Sequence, residues 1–307
     1  MTTTNIGTLK KKTPLNRKYW GERFFICCML VVAVVNFLIF WVYLNFSSIM
    51  LAFQSIEFDG SSTWTLDNFR MIFSELTGAE SVIAVALKNT MIFFAANLLI
   101  VLPVSVLLCY FLYKRITGYR AFRFIFYLPS IISGSIYVML FKYIISYGGP
   151  VDMIFAKFGI EHIDFLVEER AFKTILAYTV VTSFGGNIIL LSGAVSHIND
   201  SIIEAGKIDG ASMWQELFFL VIPLIWPTLS TLILFQFVGI FNSSGPILLF
   251  TKGQYNTTTI SYWIFQQVND NSLYNYPAAV GILCTAIGVP LSLFMRWLLN
   301  RGLEDVE

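Results

Sequence analysis

The chain has 307 residues, of which 56% are hydrophobic and only 13% carry a charge. Soluble domains carry about 25% charged residues, so this composition excludes an ordinary water-soluble domain and indicates a single integral membrane domain. The formal net charge of +1 gives no case for a nucleic-acid partner.

Long apolar stretches follow one another along the chain, and about 20 apolar residues are enough to cross a bilayer. The first, Phe24–Phe46, follows a basic cytoplasmic segment over residues 1–23. It is longer than the core of a signal peptide, which has about 7–15 residues, so it is predicted to remain as the first span. Five further spans are predicted over Asn89–Tyr113, Phe124–Phe141, Thr174–Asn199, part of Phe218–Phe241, and Tyr276–Met295. The fold class is therefore all-α and integral to the membrane, with six spans over residues 24–298 and a cytoplasmic tail over residues 299–307.

Basic residues are distributed unevenly between the two sides of this six-span arrangement. Thirteen of the 20 lysines and arginines fall on the side that holds both termini, and seven fall on the other side. An excess of basic residues in short loops marks the cytoplasmic side of a membrane. The sequence therefore predicts a multi-pass protein of the bacterial cytoplasmic membrane with both termini in the cytoplasm.

The segment Ser201–Pro227, before the fifth span, is the most charged one between two apolar stretches. Ser201 and Glu204 have the S-x-x-E spacing of a capping box, which predicts a helix that begins at Ser201. Gly210 is the expected left-handed end of this helix. Ala211 is expected to begin a second helix that continues into the fifth span. A short amphipathic helix between two spans indicates a surface for a partner protein.

Within this segment, Glu204-Ala205-Gly206, three residues, Gly210, nine residues and Leu220-Val221-Ile222-Pro223 resemble the EAA loop of bacterial ABC importer permeases. The pattern of that loop is E-A-A, three residues, G, nine residues, I-x-L-P. Here Gly206 replaces the second alanine, while Leu220 and Ile222 replace isoleucine and leucine. The resemblance implies a type I ABC importer permease fold with a coupling loop over residues 196–217, whose helix docks into a cleft of a cytoplasmic ATPase.

Three further sequence motifs resemble those of the carbohydrate branch of these permeases. Arg120–Pro129 is similar to the run at the third span of sugar permeases, and Asn89-Thr90 matches the N-T pair that opens their second span. Leu248–Gly253 and Thr257–Tyr262 are similar to two patterns in the loop after the fifth span, although a glycine and a proline are replaced. This resemblance, closest to the maltose or glycerol-phosphate type, implies import of oligosaccharides or related carbohydrates.

The resemblance assigns an ion pair with a basic residue of the ATPase to Glu204, whereas the alternative is that Glu204 only caps its own helix. The implied coupling residues are Glu204, Ala205, Gly206, Ile208, Asp209, Gly210 and Ala211. The implied partners are a second similar permease, two ATPase subunits, an extracellular solute-binding protein, membrane lipid and a carbohydrate substrate. The sequence has no G-x-x-x-x-G-K-[ST] phosphate loop. We therefore expect ATP and Mg²⁺ on the partner ATPase, and no cofactor, metal or catalytic residue on this chain.

Polar side chains within the predicted spans are candidates for the substrate pathway, because aromatic faces, amides and hydroxyls hold uncharged sugars. These candidates are Tyr178, Thr182, Ser183 and Asn187 in the fourth span, Gln236 in the fifth, and Asn242 and Ser243 near its outer end. For each of them the alternative is a hydrogen bond between packed helices. Gly185-Gly186 would permit a close approach of helices or a local break.

Other functions remain open on the residues alone. A secondary transporter driven by an ion gradient is disfavoured because the predicted spans hold no Asp or Glu. An intramembrane hydrolase is weaker still, since no histidine accompanies a serine at the same depth. An ABC importer permease for a solute other than a sugar is the remaining alternative.

Overall fold

Six helical segments of the chain are long and apolar enough to cross a membrane, as the sequence predicts. The computed structural model describes residues 17–56, 62–78, 81–242, 245–271 and 273–304. The six candidate spans are Gly21–Ala52, Val82–Tyr113, Gly134–Lys157, Arg170–Ser196, Met213–Val238 and Asn275–Arg301.

Residues up to Leu51 form a unit of their own. It consists of helix α1 (Arg17–Phe37), a π-helical segment (Leu38–Tyr43) and most of helix α2 (Leu44–Ala52). Two of its polar side chains bond within the helix: Asn45 Nδ2 donates to the carbonyl of Trp41 at 2.6 Å, and the Ser48 hydroxyl donates to that of Leu44 at 2.9 Å. Such local bonds let polar residues lie in a span without unpaired groups.

The second unit, residues 52–307, contains the remaining elements. A short antiparallel hairpin pairs β1 (Gln54–Ile56) with β2 (Ser62–Trp64). The helices that follow it are α3 (Asp67–Thr77), α4 (Val82–Ala96), α5 (Leu102–Tyr113), α6 (Tyr119–Ile131), α7 (Gly134–Ile145), α8 (Pro150–Lys157) and α9 (Glu168–Thr182). They continue with α10 (Phe184–Ser196), α11 (Asp200–Ile208), α12 (Met213–Gln215), α13 (Ile222–Val238), α14 (Ile247–Phe250), α15 (Ile260–Asn269) and α16 (Asn275–Glu304).

The second and fifth spans each contain a π-helical segment next to a proline. Asn97–Val101 joins α4 to α5 just before Pro103, and Glu216–Val221 joins α12 to α13 just before Pro223. A proline has no N–H to donate, so the carbonyl four residues before it loses its usual partner. A local π turn re-arranges the bonds there and lets the span continue.

The third and fourth predicted spans are each divided into two helices. Phe124–Phe141 was expected to be one span, but α6 ends at Ile131 and α7 begins at Gly134, because Ile132 and Ser133 adopt extended backbone angles. Pro129 lies in the last turn of α6 and removes one of its hydrogen bonds. In the fourth span, α9 and α10 meet at Ser183.

Three apolar clusters hold the second unit together. One joins α5, α10, α11 and α13 around Tyr110, Leu191 and Leu217. A second joins α3, α4, α15 and α16. A third is aromatic and joins α4, α7, α9 and α14 around Phe93 and Tyr178. The first cluster therefore connects α11, the helix of the EAA-like loop, with three spans.

The adjacent glycines of α10 differ in their surroundings, and this gives a matched test of packing. A Cβ atom on Gly185 would lie 2.7 Å from the backbone carbonyl oxygen of Phe126, whereas a Cβ on Gly186 would meet nothing within 4 Å. We expect Gly185→Ala to lower the free energy of unfolding by about 1–3 kcal/mol, because α6 and α10 must move apart. Gly186→Ala is expected to leave it unchanged or slightly raised. Thermal unfolding of the two solubilised variants measures the difference, and equal melting temperatures would contradict the close contact.

Candidate functional site

The first helix of the EAA-like loop, α11, begins one position earlier than predicted. Its N-cap is Asn199, whose side-chain oxygen accepts a hydrogen bond from the Ser201 backbone N–H at 3.1 Å. Ser201 therefore lies inside the helix, and the predicted capping box of Ser201 and Glu204 is wrong. Asn199 and Ser201 compete for the N-cap position, and Asn199 takes it because asparagine is at least as good an N-cap as serine and comes first in the sequence.

The predicted end of α11 at Gly210 is confirmed. Gly210 has a φ of +78°, in the left-handed region that favours glycine. Its N–H donates to the Lys207 carbonyl at 3.1 Å, and the N–H of Ala211 donates to the Gly206 carbonyl at 2.9 Å. These two bonds are those of a Schellman motif, so the last carbonyls of α11 are satisfied locally.

The next helix begins at Met213, two positions later than the predicted start at Ala211. Here a capping box does occur: the Ser212 hydroxyl accepts from the Gln215 N–H at 3.4 Å, and the Gln215 side chain accepts from the Ser212 N–H at 2.8 Å. The chain therefore turns sharply between α11 and the fifth span, with both helix ends closed by their own residues.

One side of α11 is fixed against the spans. Ile203 is only 4% exposed and belongs to the apolar cluster that joins α5, α10 and α13. A Cβ atom on Gly206 would lie 2.6 Å from Cδ1 of Leu220, so the backbone of α11 runs close to the π-helical segment of the fifth span. The glycine that replaces the second alanine of the family pattern thus lies at a close packing contact.

The opposite side of α11 is exposed and presents a charged side chain next to a protruding apolar one. Glu204, Ala205 and Asp209 are exposed, and the side chain of Ile208 is 86% exposed. In the part of the chain that the structure describes, no side chain pairs with the Glu204 carboxylate. Because Ser201 is not the N-cap, the alternative that Glu204 caps its own helix has no support here. A free carboxylate beside a protruding isoleucine is suited to a complementary pocket on another protein.

A buried ion pair that the sequence reading missed lies beside this loop. Lys114 Nζ is 2.6 Å from Oε2 of Glu216, whose residue is only 3% exposed. Glu216 was placed before the fifth predicted span, but the fifth candidate span begins at Met213 and includes it. The candidate spans therefore do contain acids, namely Glu216, which is paired, Glu22 in the first span and Asp152 in the third, so the expectation of spans without Asp or Glu does not hold for the spans of the structure. The two residues are 102 positions apart, so only their opposite charges next to two span ends could have indicated the contact.

The substrate-pathway candidates that the structure describes lie in different surroundings. Tyr178 is buried, and its ring contacts those of Tyr137, Phe141 and Phe250 at centroid distances of 5.0 to 5.9 Å. The Thr182 hydroxyl donates to the Tyr178 carbonyl of its own helix at 2.9 Å. This bond lies within α9, whereas the alternative given for Thr182 was a hydrogen bond between packed helices. Ser183, Asn187 and Gln236 are half-buried.

Asn242 lines a cavity of about 500 Å³ between α13, α15 and α16. Its other polar lining residues include Thr285 and Ser292, whose hydroxyls donate to carbonyls of their own helix at 2.9 and 2.7 Å. The rest of the lining is mostly apolar. Ser243, the last candidate, lies outside the described residues.

At the other end of the spans, two of the motifs that resemble sugar permeases are in direct contact. Asn89 Nδ2 donates to the carbonyls of Asn256 at 2.7 Å and Thr258 at 2.9 Å. The hydroxyl of Thr90 accepts from the Ile260 N–H at 3.0 Å. The Asn89-Thr90 pair therefore holds the segment that leads from the loop after the fifth span into α15.

This loop is tightly built. Lys252, Tyr255 and Asn256 all have positive φ values between 52° and 56°, which non-glycine residues adopt only when their surroundings require it. The hydroxyls of Thr251 and Thr257 are 2.6 Å apart and both residues are buried. The loop is thus a fixed surface at the end of the spans opposite to α11.

The chain is similar to known proteins over most of its length. Residues 102–304 match the family described as "Binding-protein-dependent transport system inner membrane component". The chain is 27% identical over 289 residues to the polygalacturonan/rhamnogalacturonan transport system permease protein YteP of Bacillus subtilis (strain 168), covering 90% of this chain and 88% of that protein. It is 24% identical over 278 residues to the multiple sugar-binding transport system permease protein MsmF of Streptococcus mutans, covering 89% and 92% of the two chains.

A solved structure also resembles the fold. A chain of a bacterial ABC transporter involved in the import of the acidic polysaccharide alginate has a TM-score of 0.79 and 24% identity, covering 92% of this chain and 98% of that one. At this level of identity the likeness concerns the fold.

Proposed function

Because this chain belongs to the family of binding-protein-dependent transport system inner membrane components, we propose that α11 is the coupling helix through which a separate ATPase drives it. The chain is a multi-pass permease of the cytoplasmic membrane, a transport subunit of an ABC importer. In the proposal, ATP and Mg²⁺ act on two ATPase subunits that bind the exposed side of α11. A second similar permease and an external solute-binding protein complete the importer.

The exposed side of α11 is the observation that carries this proposal. Ile208, at 86%, is the most exposed of the large hydrophobic residues that the structure describes, and it lies outside the candidate spans, beside the unpaired carboxylate of Glu204. The inner side is fixed by Ile203 in the core, so a force applied to the exposed side is transmitted to the spans rather than absorbed by a loose loop. Ile208 and Ala205 fill the apolar part of the partner's pocket, and Glu204 pairs with a basic residue at its edge.

The distribution of basic residues supports an orientation with α11 and both termini in the cytoplasm. The loop that Asn89 holds then faces outward, toward the solute-binding protein. Alternating access would expose a central pathway to each side in turn. Its candidate contacts on this chain remain Tyr178, Thr182, Ser183, Asn187, Gln236, Asn242 and Ser243.

We infer that the substrate is an oligosaccharide. The names of its relatives include polygalacturonan/rhamnogalacturonan and multiple-sugar transport systems, and the similar solved transporter is involved in the import of alginate. Polygalacturonan and alginate are chains of acidic sugars, so oligosaccharides that contain uronic acids are the first class to test.

Affinity purification of the chain from its native membrane tests the assembly. We expect an ATPase, a second permease and a solute-binding protein to be recovered with it. Recovery of the chain alone or as a homo-oligomer, in a detergent that preserves other importers, would favour a secondary transporter and overturn the proposal. The recovered complex is then placed in proteoliposomes, where ATP hydrolysis is measured with uronate-containing and neutral oligosaccharides. Stimulation by neither class would contradict the inferred substrate.

A further inference from the structure

The end of α5 holds the EAA-like loop at the start of α11 and at two points after its end. At the start, the Tyr113 hydroxyl donates to Oδ1 of Asp200, the first residue of α11, at 3.2 Å. After the end, the Tyr110 hydroxyl donates to the carbonyl of Met213 at 3.2 Å. These side chains come from one turn of α5, so that turn contacts the loop on both sides of α11.

Lys114, the C-cap of α5, makes the strongest of these contacts. Its Nζ atom lies 2.5 and 2.6 Å from the two carboxylate oxygens of Glu216. It also lies 5.5 Å from the centre of the Tyr110 ring, at the distance of a cation–π contact. The side chains of Lys114 and Glu216 are 22% and 4% exposed, so water screens their attraction only weakly.

The connectivity of the chain gives this ion pair its importance. The EAA-like loop is continuous with α10 on one side and with the fifth span on the other, so any motion of α11 reaches those two spans through the backbone. No such connection exists to the second span, because α6 to α10 separate α5 from α11 in the sequence. Motion of α11 therefore reaches the second span through side-chain contacts: the apolar cluster packs Ile203 and α10 against α5, and the polar contacts lie at the end of α5.

We propose that Lys114 is a positioning residue that links the second span to the coupling loop through Glu216. This inference rests on the proposed function, since it concerns how the motion of α11 is transmitted. A buried ion pair is not needed for stability alone, because well-packed apolar residues are often equally stable in its place. The short hydrogen bond from the Lys114 ammonium to Oε2 of Glu216, however, fixes the distance and direction between two helix ends more narrowly than apolar packing does.

The test uses the complete importer in proteoliposomes and measures both transported substrate and hydrolysed ATP. We expect Lys114→Met to lower the amount of substrate transported per ATP about tenfold, while the ATPase subunits still co-purify with the chain. The reversed pair K114E/E216K is expected to restore this ratio to within about twofold of the natural value. Lys157→Met serves as the matched control, because Lys157 is exposed and lies on α8, away from the loop.

A natural ratio of transport to hydrolysis in Lys114→Met would overturn the inference. If that variant fails to accumulate, the K114C/E216C pair decides, in a chain whose four natural cysteines are replaced. We expect it to transport efficiently when a short bifunctional thiol reagent joins the two positions, and about tenfold less per ATP when they are unjoined. Equal ratios in the two forms would also overturn it. Failure of the proposed function is distinguishable, because then no ATPase co-purifies even with the unaltered chain.

Discussion

Reversing the charge at Glu204 (E204K) is expected to abolish transport while leaving the fold of the chain unchanged. The carboxylate is exposed and pairs with no side chain in the described part of the structure, so its loss should alter the free energy of unfolding by less than about 0.5 kcal/mol. At the proposed interface, by contrast, a lysine would face the basic residue that the glutamate pairs with. Losing one partner of a buried interfacial charge pair costs about 2–5 kcal/mol. We therefore expect ATPase binding to weaken at least about 30-fold.

The control for this variant lies two positions away on the same helix. Gly206→Ala adds a methyl group on the inner side of α11, where only Cδ1 of Leu220, the movable end of a side chain, is too close. We expect it to bind the ATPase almost normally, and this residue of the family pattern would then act by packing rather than by contact with the partner. The measurements are ATPase co-purification and substrate uptake. Normal substrate uptake by E204K would contradict the proposal that α11 is the coupling helix.

Replacing Asn89 by leucine is expected to be the most destabilising single change of those considered. The amide bridges two loop carbonyls, those of Asn256 and Thr258, and the asparagine is 5% exposed. Leucine would remove both bonds: Thr258 is buried, and a buried unpaired group costs about 1–3 kcal/mol, whereas Asn256 is exposed and loses only the net value of a hydrogen bond, about 0.5–1.5 kcal/mol. We expect a loss of about 2–4 kcal/mol in the free energy of unfolding, together with faster proteolysis of residues 251–259. Thermal unfolding and limited proteolysis of the solubilised chain measure the two effects.

Thr90 provides the matched pair of variants for the same contact. Thr90→Ser keeps the hydroxyl that accepts from the Ile260 N–H, whereas Thr90→Val keeps the shape and removes the acceptor. We expect valine to lower the stability by about 1–3 kcal/mol and serine to change it much less. If Asn89→Leu and Thr90→Val both melt like the natural chain, the loop is held by other contacts.

The number of spans could be read from the sequence because transfer of apolar side chains into lipid dominates every other local signal. The helix breaks inside the third and fourth predicted spans were harder to predict. Pro129 is visible in the sequence, but α6 continues past it and ends only at Ile131, because the backbone of Ile132 is extended. Whether a proline bends, ends or merely interrupts a helix depends on which neighbours satisfy the freed carbonyl, and these neighbours are distant in the sequence.

The EAA-like loop shows the same division between local and long-range information. Gly210 was predicted correctly because a left-handed residue after a short helix is a local requirement. The start was misplaced because Asn199 and Ser201 are both good N-caps, and local spacing does not choose between them. The burial of Ile203 in a cluster with residues of three spans depends on tertiary contacts, which the local sequence does not predict. The same holds for the pathway candidates, since the sequence does not tell which side of a helix faces another helix.

The π-helical segments next to Pro103 and Pro223 have a consequence for the phase of the apolar stripes. Leu217, Val221, Ile225 and Leu229 all belong to one cluster although they are spaced by four residues, and Leu98, Leu102, Val106 and Tyr110 repeat that spacing in the second span. In a regular α-helix a four-residue repeat drifts by about 40° per step, so such a stripe would wind away from its neighbours. The wider π turn compensates for this angular drift, so the apolar residues stay on the side of the helix that faces the cluster. The register of both spans against α10 thus depends on a single extra residue, and deleting it would rotate everything beyond by about 100°.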